Sequence, residues 1–288
     1  MLKNIKYNNI YQKFHRGVNR VNNDQIVDIA ITSFGGFTDA FTSGVGRRVE
    51  ISNDIVELSV NTVAEINNKT FRFTRCYTKY QLDTKELDKR QDIVKYANEL
   101  DKSLNSNKNE LPLIAYYNQL TEFEDITSYS RNDLTDRSLG YSNCLIVKNK
   151  FFPSQDYFKY ISFIVWQKEV VSNIDNSVNN YRIAMNNINK AVKKIGYDSL
   201  VYEPNKDCLM LVKNDKMIEL SKIDINDMIF VAIVFDLNIR VLILNPKSKT
   251  PFNVVGCVGI TYKFNNDKKF FDLISLLSKQ FNKVQFLI

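Results

Sequence analysis

The chain has a single histidine, His15, in 288 residues. Ser-His-Asp and Cys-His hydrolases, HExxH proteases and cupin-like metal centres all depend on imidazole, so their usual forms are excluded. The four cysteines, Cys76, Cys144, Cys208 and Cys257, are scattered and form no CxxC pair. That removes zinc-ribbon sites and points to reduced, mostly buried thiols in a cytosolic setting. No apolar run approaches the roughly 20 residues of a membrane span, so a soluble protein is expected. No secretory signal is visible, and a transit peptide would need more serine than the opening holds.

Glycine is also scarce, at 9 residues, and four of them fall in "SFGGFTDAFTSGVGRR", residues 33 to 48. A phosphate loop needs GxxxxGK[ST] or GxGxxG, because those spacings aim successive backbone N–H groups at the phosphates. Here Gly44 and Gly46 are followed by Val49, and no Lys-Ser or Lys-Thr pair follows. The stretch reads instead as a connector. Phe34, Phe37 and Phe41 have helical spacing and form a short buried turn, with glycines as punctuation. No cofactor is expected.

Carboxylate clusters are thin. Glu122, Glu124 and Asp125, and the pair Asp224 and Asp227, are the candidates for two-metal phosphoryl chemistry. Asp198, Glu203 and Lys206 lie on one hairpin, but their spacing departs from that of a PD-(D/E)xK nuclease. No catalytic residue and no metal ligand is assigned, and no family resemblance is visible.

What is present is core and positive charge. Hydrophobic residues make up 44% and aromatics 12%, with a net charge of +7, which admits an acidic partner such as nucleic acid. Asparagine is abundant, at 34 residues. The first 23 residues carry no acid. Tyr7, Tyr11, Phe14, Val18 and Val21 are spaced 4-3-4-3, as on one stripe of a helix, with Lys6, Lys13 and Arg20 beside them. This predicts a basic amphipathic arm over 1–23. Lys6, Lys13, Arg16, Arg20, Arg47 and Arg48 are its candidate contacts to nucleic acid or a partner.

Residues 24–150 read as an N-terminal part. "QIVDIAITSF" reads as a strand. The clearest signal is a hairpin over 54–82. Pairing across Asn67-Asn68 sets Ala64 opposite Phe71 and Leu58 opposite Tyr77, and puts Glu65 with Thr70 and Asn61 with Thr74 on a polar face. A helix opens near Asp83 and carries Leu87, Val94, Ala97, Leu100 and Leu104. "NCLIVKN" reads as a strand.

Residues 151–288 form the C-terminal part. Val171, Ile174, Val178, Tyr181, Met185, Ile188, Val192 and Ile195 repeat every three or four residues. That heptad stripe predicts a long helix, ending at Gly196, which faces its own domain or other copies of the chain. Strands follow: "SLVYE" and "CLMLVKN", then "MIFVAIVFDL" and "RVLILNP" around a turn near Asn238, then "NVVGCVGITYKF". A helix opens at Asn266 or Asp267, and the apolar "VQFLI" should be paired into a sheet.

The fold expected is therefore α+β, with mainly antiparallel sheets, a long N-terminal hairpin and one long helix before a C-terminal antiparallel sheet. The function expected is a non-enzymatic structural or assembly subunit, of the virus or phage particle kind, cytoplasmic or in the virion. It would work as a homo-oligomer or with other subunits of an assembly, with nucleic-acid contact admitted. The alternative expectation is a metal-dependent nuclease or other phosphoryl-transfer enzyme.

Overall fold

The structure is a computed structural model. The residues described are 1–7, 10–21, 24–38, 41, 57–78, 91–102, 110–117, 137–141, 144–145, 176–203, 205–206, 208–264 and 267–288. The chain runs β1 (Leu2–Tyr7), β2 (Ile10–Lys13), β3 (Gly17–Asn19), α1 (Asp24–Thr32), α2 (Gly35–Thr38), β4 (Glu57–Ile66), β5 (Lys69–Thr78), α3 (Gln91–Lys102) and β6 (Leu113–Tyr117). It continues through α4 (Asn176–Lys194), β7 (Ser199–Glu203), β8 (Cys208–Lys213), β9 (Lys216–Glu219), α5 (Ile225–Leu244), β10 (Gly256–Ile260), α6 (Asp267–Gln280) and β11 (Val284–Leu287). The class is α+β.

The strands form an antiparallel sheet β2-β1-β4-β5, a parallel sheet β3-β11-β10-β6 and a small antiparallel sheet β7-β8-β9. The C-terminal antiparallel sheet after the long helix is β7-β8-β9, and the expectation is corrected for the last strands: β10 and β11 run parallel to each other and recruit β3 and β6 from the N-terminal half. Every residue of β6, β10 and β11 is buried, as in a parallel sheet covered on both faces. Gly259 shows which face α1 covers, since a Cβ there would lie 2.7 Å from Ile31 and 2.8 Å from Tyr116. The neighbouring Tyr117 points the other way, and its hydroxyl meets Asp236 of α5. Gly256 permits an equally close approach, because a Cβ on it would run into the Leu113 backbone.

The long hairpin forms in the register expected from sequence, from Glu57 opposite Thr78 to Ile66 opposite Lys69. Asn67 and Asn68 turn it with φ of 49° and 64°, the left-handed pair that such a tight turn requires. Gly196 closes α4 at φ 87°, as a C′ glycine should.

Three element assignments are corrected. The first 23 residues contain strands β1, β2 and β3, not a helix. A register shift between Leu2 and Asn4 lets Leu2 and Ile5 both face inward, so the strand's two-residue period is broken in the sequence. "QIVDIAITSF" is helix α1, with Ile26, Val27, Ile29, Ala30 and Ile31 all buried. The two strands expected around Asn238 are one helix, α5, buried at every residue from Met228 to Leu244. A helix covered on all sides has no apolar stripe to reveal its period, and its many Ile and Val residues imitate strands.

Helix α4 lays Val178, Ile188 and Val192 into the core, all fully buried, with Tyr181, Met185 and Ile195 packed at its margin. Its neighbours are α5, α6 and β7 of the same chain. Asparagines on its sides are polar ties. Asn187 donates to Asn238 Oδ1 at 3.1 Å and accepts at its carbonyl from Gln280 at 2.9 Å. Asn180 donates to the Ser248 carbonyl at 2.8 Å. Val171 and Ile174 lie outside the described residues, as do Asp83, Leu87 and Leu104. Ala97 and Leu100 of α3 are buried as expected, with Ile93 and Tyr96 beside them. Of "NCLIVKN", Cys144 and Leu145 lie in a turn, and the other residues are outside those described.

Candidate functional site

The antiparallel sheet buries Ile5, Val60, Thr62, Ala64, Phe71 and Phe73. Strand alternation sends the residues between them to the outer face. The register then sets Lys6 beside Tyr11 on one side and Asn61 on the other, with Thr74 beyond. Lys13 pairs with Asn4, and Arg72 with Val63. Lys6, Lys13 and Arg72 are exposed, and Tyr11 is 54% exposed, with the Lys13 ammonium 5.9 Å from its ring centroid.

At the edge of this face Lys3 Nζ sits 2.9 Å from Glu65 Oε2. The hydrogen bond from Lys3 holds the Glu65 carboxyl below its usual pKa, and the charges of Lys3, the Met1 amine and Arg16 act in the same direction. The outer face and its margin therefore gather Lys3, Lys6, Lys13, Arg16 and Arg72 near Glu65. Of the residues expected to contact nucleic acid, the sheet unites Lys6, Lys13 and Arg16. Arg20 belongs elsewhere, at the end of β3, with its guanidinium 5.1 Å from the Phe271 ring centroid. Arg47 and Arg48 lie outside the described residues. Arg72 was missed by sequence reasoning, which treated the hairpin's polar face as plain solvent-facing surface.

The carboxyl ends of the parallel strands carry a second polar cluster. The connection after β3 leads into α1, and the connection after β10 leads into α6. Here Lys263, beyond β10, reaches across to Asp24, the first residue of α1, at 3.2 Å. Thr261 Oγ1 and Tyr116 Oη lie 3.0 Å apart beneath them. Residues 20–23, which precede α1, contain no glycine, and the Asp24 carboxylate stands where an anion would meet the helix N-terminus. This cluster was invisible in the sequence because α1 reads as a strand.

Among the described residues the carboxylates do not converge on a reacting centre. Asp224 caps α5, accepting from the backbone N–H groups of Asn226 and Asp227 at 2.9 and 3.3 Å. Asp224 and Asp227 share the ammonium of Lys269, at 3.8 and 2.6 Å, so a lysine holds the place a metal would take. Asp198 accepts from the Asn214 backbone at 2.9 Å and Glu203 from that of Asn205 at 3.1 Å, while Lys206 pairs with Glu219 at 3.5 Å. Asp198 and Glu203 bracket β7, about 16 Å apart along an extended strand. The nuclease expectation is corrected on this geometry. Glu122, Glu124 and Asp125 lie outside the described residues. Among the described residues no group of three or more His, Cys, Asp or Glu side chains is placed to hold a metal ion.

No known protein family matches the chain, and no curated protein does. Solved structures that match include the SMC head bound to the C-winged helix domain of ScpA. It has a TM-score of 0.46 and 11% identity, over 100% of this chain and 88% of that one. The SMC head domain from Thermotoga maritima matches with a TM-score of 0.40 and 10% identity, over 99% and 87% of the two chains. Neither is a particle protein, and the expectation of a virion or phage structural subunit is corrected on that finding. At TM-scores below 0.5 these likenesses carry no statement of activity. Among the described residues no helix is long and apolar enough to cross a membrane.

Proposed function

We propose that the chain binds nucleic acid through the outer face of the sheet β2-β1-β4-β5. The observation that supports this reading is the gathering of Lys6, Lys13, Arg16 and Arg72 on and beside one exposed face, with Tyr11 among them. Lysine and arginine side chains on a flat face neutralise phosphates and release counterions, and an exposed ring offers a stacking surface for an unpaired base. Among the described residues no base-reading element accompanies them, and the binding proposed is of the backbone kind and indifferent to sequence.

The test is fluorescence polarisation with labelled single- and double-stranded oligonucleotides over a salt series. The expected affinity falls linearly with salt on logarithmic axes. Changing Lys6 and Lys13 to Ala should flatten that slope by about one unit per lysine. A wild-type protein that binds neither strand form at about 50 mM salt would sink the reading.

A second reading is favoured by the ion pair at the start of α1: a small anionic ligand that displaces Asp24 from Lys263. Calorimetry with ATP and with inorganic phosphate tests it, and Asp24→Asn should strengthen the binding. Absence of heat from both the wild-type protein and this variant would remove it.

A further inference from the structure

Among the described strands, β3 is an edge of the parallel sheet. Its inner side is paired to β11: the Ile288 N–H donates to the Asn19 carbonyl at 3.0 Å, and the Val21 N–H donates to the Ile288 carbonyl at 2.7 Å. Those two bonds fix the direction of every other group on the strand. Because peptide groups alternate, the N–H and C=O of Val18 and of Arg20 point away from the sheet. No hydrogen-bond partner for these four groups is present among the described residues. The strand is also held firmly in place. Asn19, 3% exposed, accepts from the His15 N–H at 2.8 Å and donates to the His15 carbonyl at 2.8 Å.

Beside this edge lies an open cleft of about 520 Å³, floored by Val18, Ile274 and Ile288 and walled by Phe271 and Ser278, with Arg20 at its rim. Phe271 is 47% exposed there, one of the few large apolar side chains left to solvent among the described residues. An unpaired edge, an apolar cleft next to it and a cation at the rim are the parts needed to recognise an extended peptide. The backbone supplies hydrogen bonds, and alternate side chains enter the cleft.

We propose that the outer edge of β3 is a docking site for an extended, acidic segment of another protein. The segment adds as a strand, bonded to Val18 and Arg20. One apolar side chain occupies the cleft against Phe271, and a neighbouring carboxylate meets Arg20. The charge at the rim, on a chain of net +7, sets the choice of an acidic segment over a second copy of this basic chain.

The experiment uses the full chain and a fluorescein-labelled hexapeptide of alternating valine and glutamate, read by polarisation. A matching valine–lysine peptide serves as control. The expected result is saturable binding of the acidic peptide alone. Val18→Pro removes one outward N–H without touching the bonds to β11, and proline is tolerated at such an edge position. It should weaken binding by about tenfold while leaving the melting temperature near that of the wild type. Arg20→Glu should exchange the preference, losing the acidic peptide and gaining the basic one, and it keeps the proposal testable if Val18→Pro misfolds.

Three results would overturn it: no binding by the wild-type protein, equal binding of both peptides, or full binding by a folded Val18→Pro variant. Light scattering that finds a dimer dissolved by Val18→Pro would assign the edge to a second copy and overturn it as well.

Discussion

Arg240 donates from Nε to Asp236 Oδ2 at 2.5 Å, one turn away on α5, and both side chains are buried. Two further contacts extend the pair across the core. The Tyr117 hydroxyl donates to the same carboxylate oxygen at 2.6 Å from β6, and Arg240 Nη1 donates to the Gly140 carbonyl at 2.9 Å. Burial disfavours the charge on Arg240, but Asp236 and Tyr117 outweigh it, and the guanidinium pKa is raised. Burial, and then the Asp236 charge, push the Tyr117 phenol well above its ordinary value. The charges thus tie the one helix without a polar face to the parallel sheet.

The first prediction follows from that isolation. Asp236→Ala leaves Arg240 charged and without its counter-ion inside the core, which should cost about 3–5 kcal/mol. Replacing both residues together, Asp236→Leu with Arg240→Met, should recover most of the loss, because the penalty lies in the unpaired charge. Urea unfolding of the single and double variants measures both. A single variant within about 1 kcal/mol of the wild type would mean that water reaches the pair.

How much of this was legible in the sequence varied with the local period. The hairpin was read to the residue, because one face alternates cleanly and Asn67-Asn68 names its turn. The stripe and end of α4 and the start of α6 were read for the same reason: an element half-exposed writes its period into the sequence. Helix α5 was misread because it is buried on nearly all sides, and the short α1 because its Ile and Val residues imitate a strand. Their composition reports burial and not geometry. The N-terminal strands were misread because the shift at Leu2 disrupts the alternation and a chance 4-3-4-3 spacing filled the gap. Of the basic residues expected to make contacts, Lys6, Lys13, Arg16 and Arg20 lie among the described residues. Only the register of β1 against β2 and β4 decides that Lys6 and Lys13 share a face with Arg72 and that Arg20 does not.

A second prediction concerns the aromatic turn before the hairpin. Phe37 and Phe41 are buried with ring centroids 5.3 Å apart, and Phe41 lies 5.0 Å from the Tyr141 ring. The Tyr141 hydroxyl in turn donates to the Pro112 carbonyl at 2.8 Å, just before β6. Phe41→Ala empties a site enclosed by rigid rings that cannot collapse, so it should cost about 3–5 kcal/mol. Phe41→Leu should cost less than half of that, since it keeps most of the volume. Thermal unfolding checks the pair. Equal losses would mean that ring contact, and not filled space, holds this turn.

The third prediction concerns alkaline pH. The hydrogen bond to Asp227 raises the pKa of Lys269; burial opposes the shift, and the charges of Asp227 and Asp224 reinforce it. The folded value therefore lies above the ordinary 10.5, and the folded state holds the proton more tightly than the unfolded chain does. The resulting stability is fully present below the unfolded pKa and is lost as pH rises through the folded one. Tyr197 and Tyr262 are also raised, each mainly by burial, so they too weaken the fold as pH climbs and must be separated from the lysine. Lys269→Gln makes that separation. It should lower the urea midpoint at neutral pH, and the gap from the wild-type protein should close on raising pH from about 9 toward 12. Tyr262 titrates in both proteins and cancels in the comparison, while Tyr197, whose pKa the Lys269 charge itself lowers, is changed to Phe in both. Two curves that stay parallel across this range would show that the ammonium between Asp224 and Asp227 adds nothing to stability.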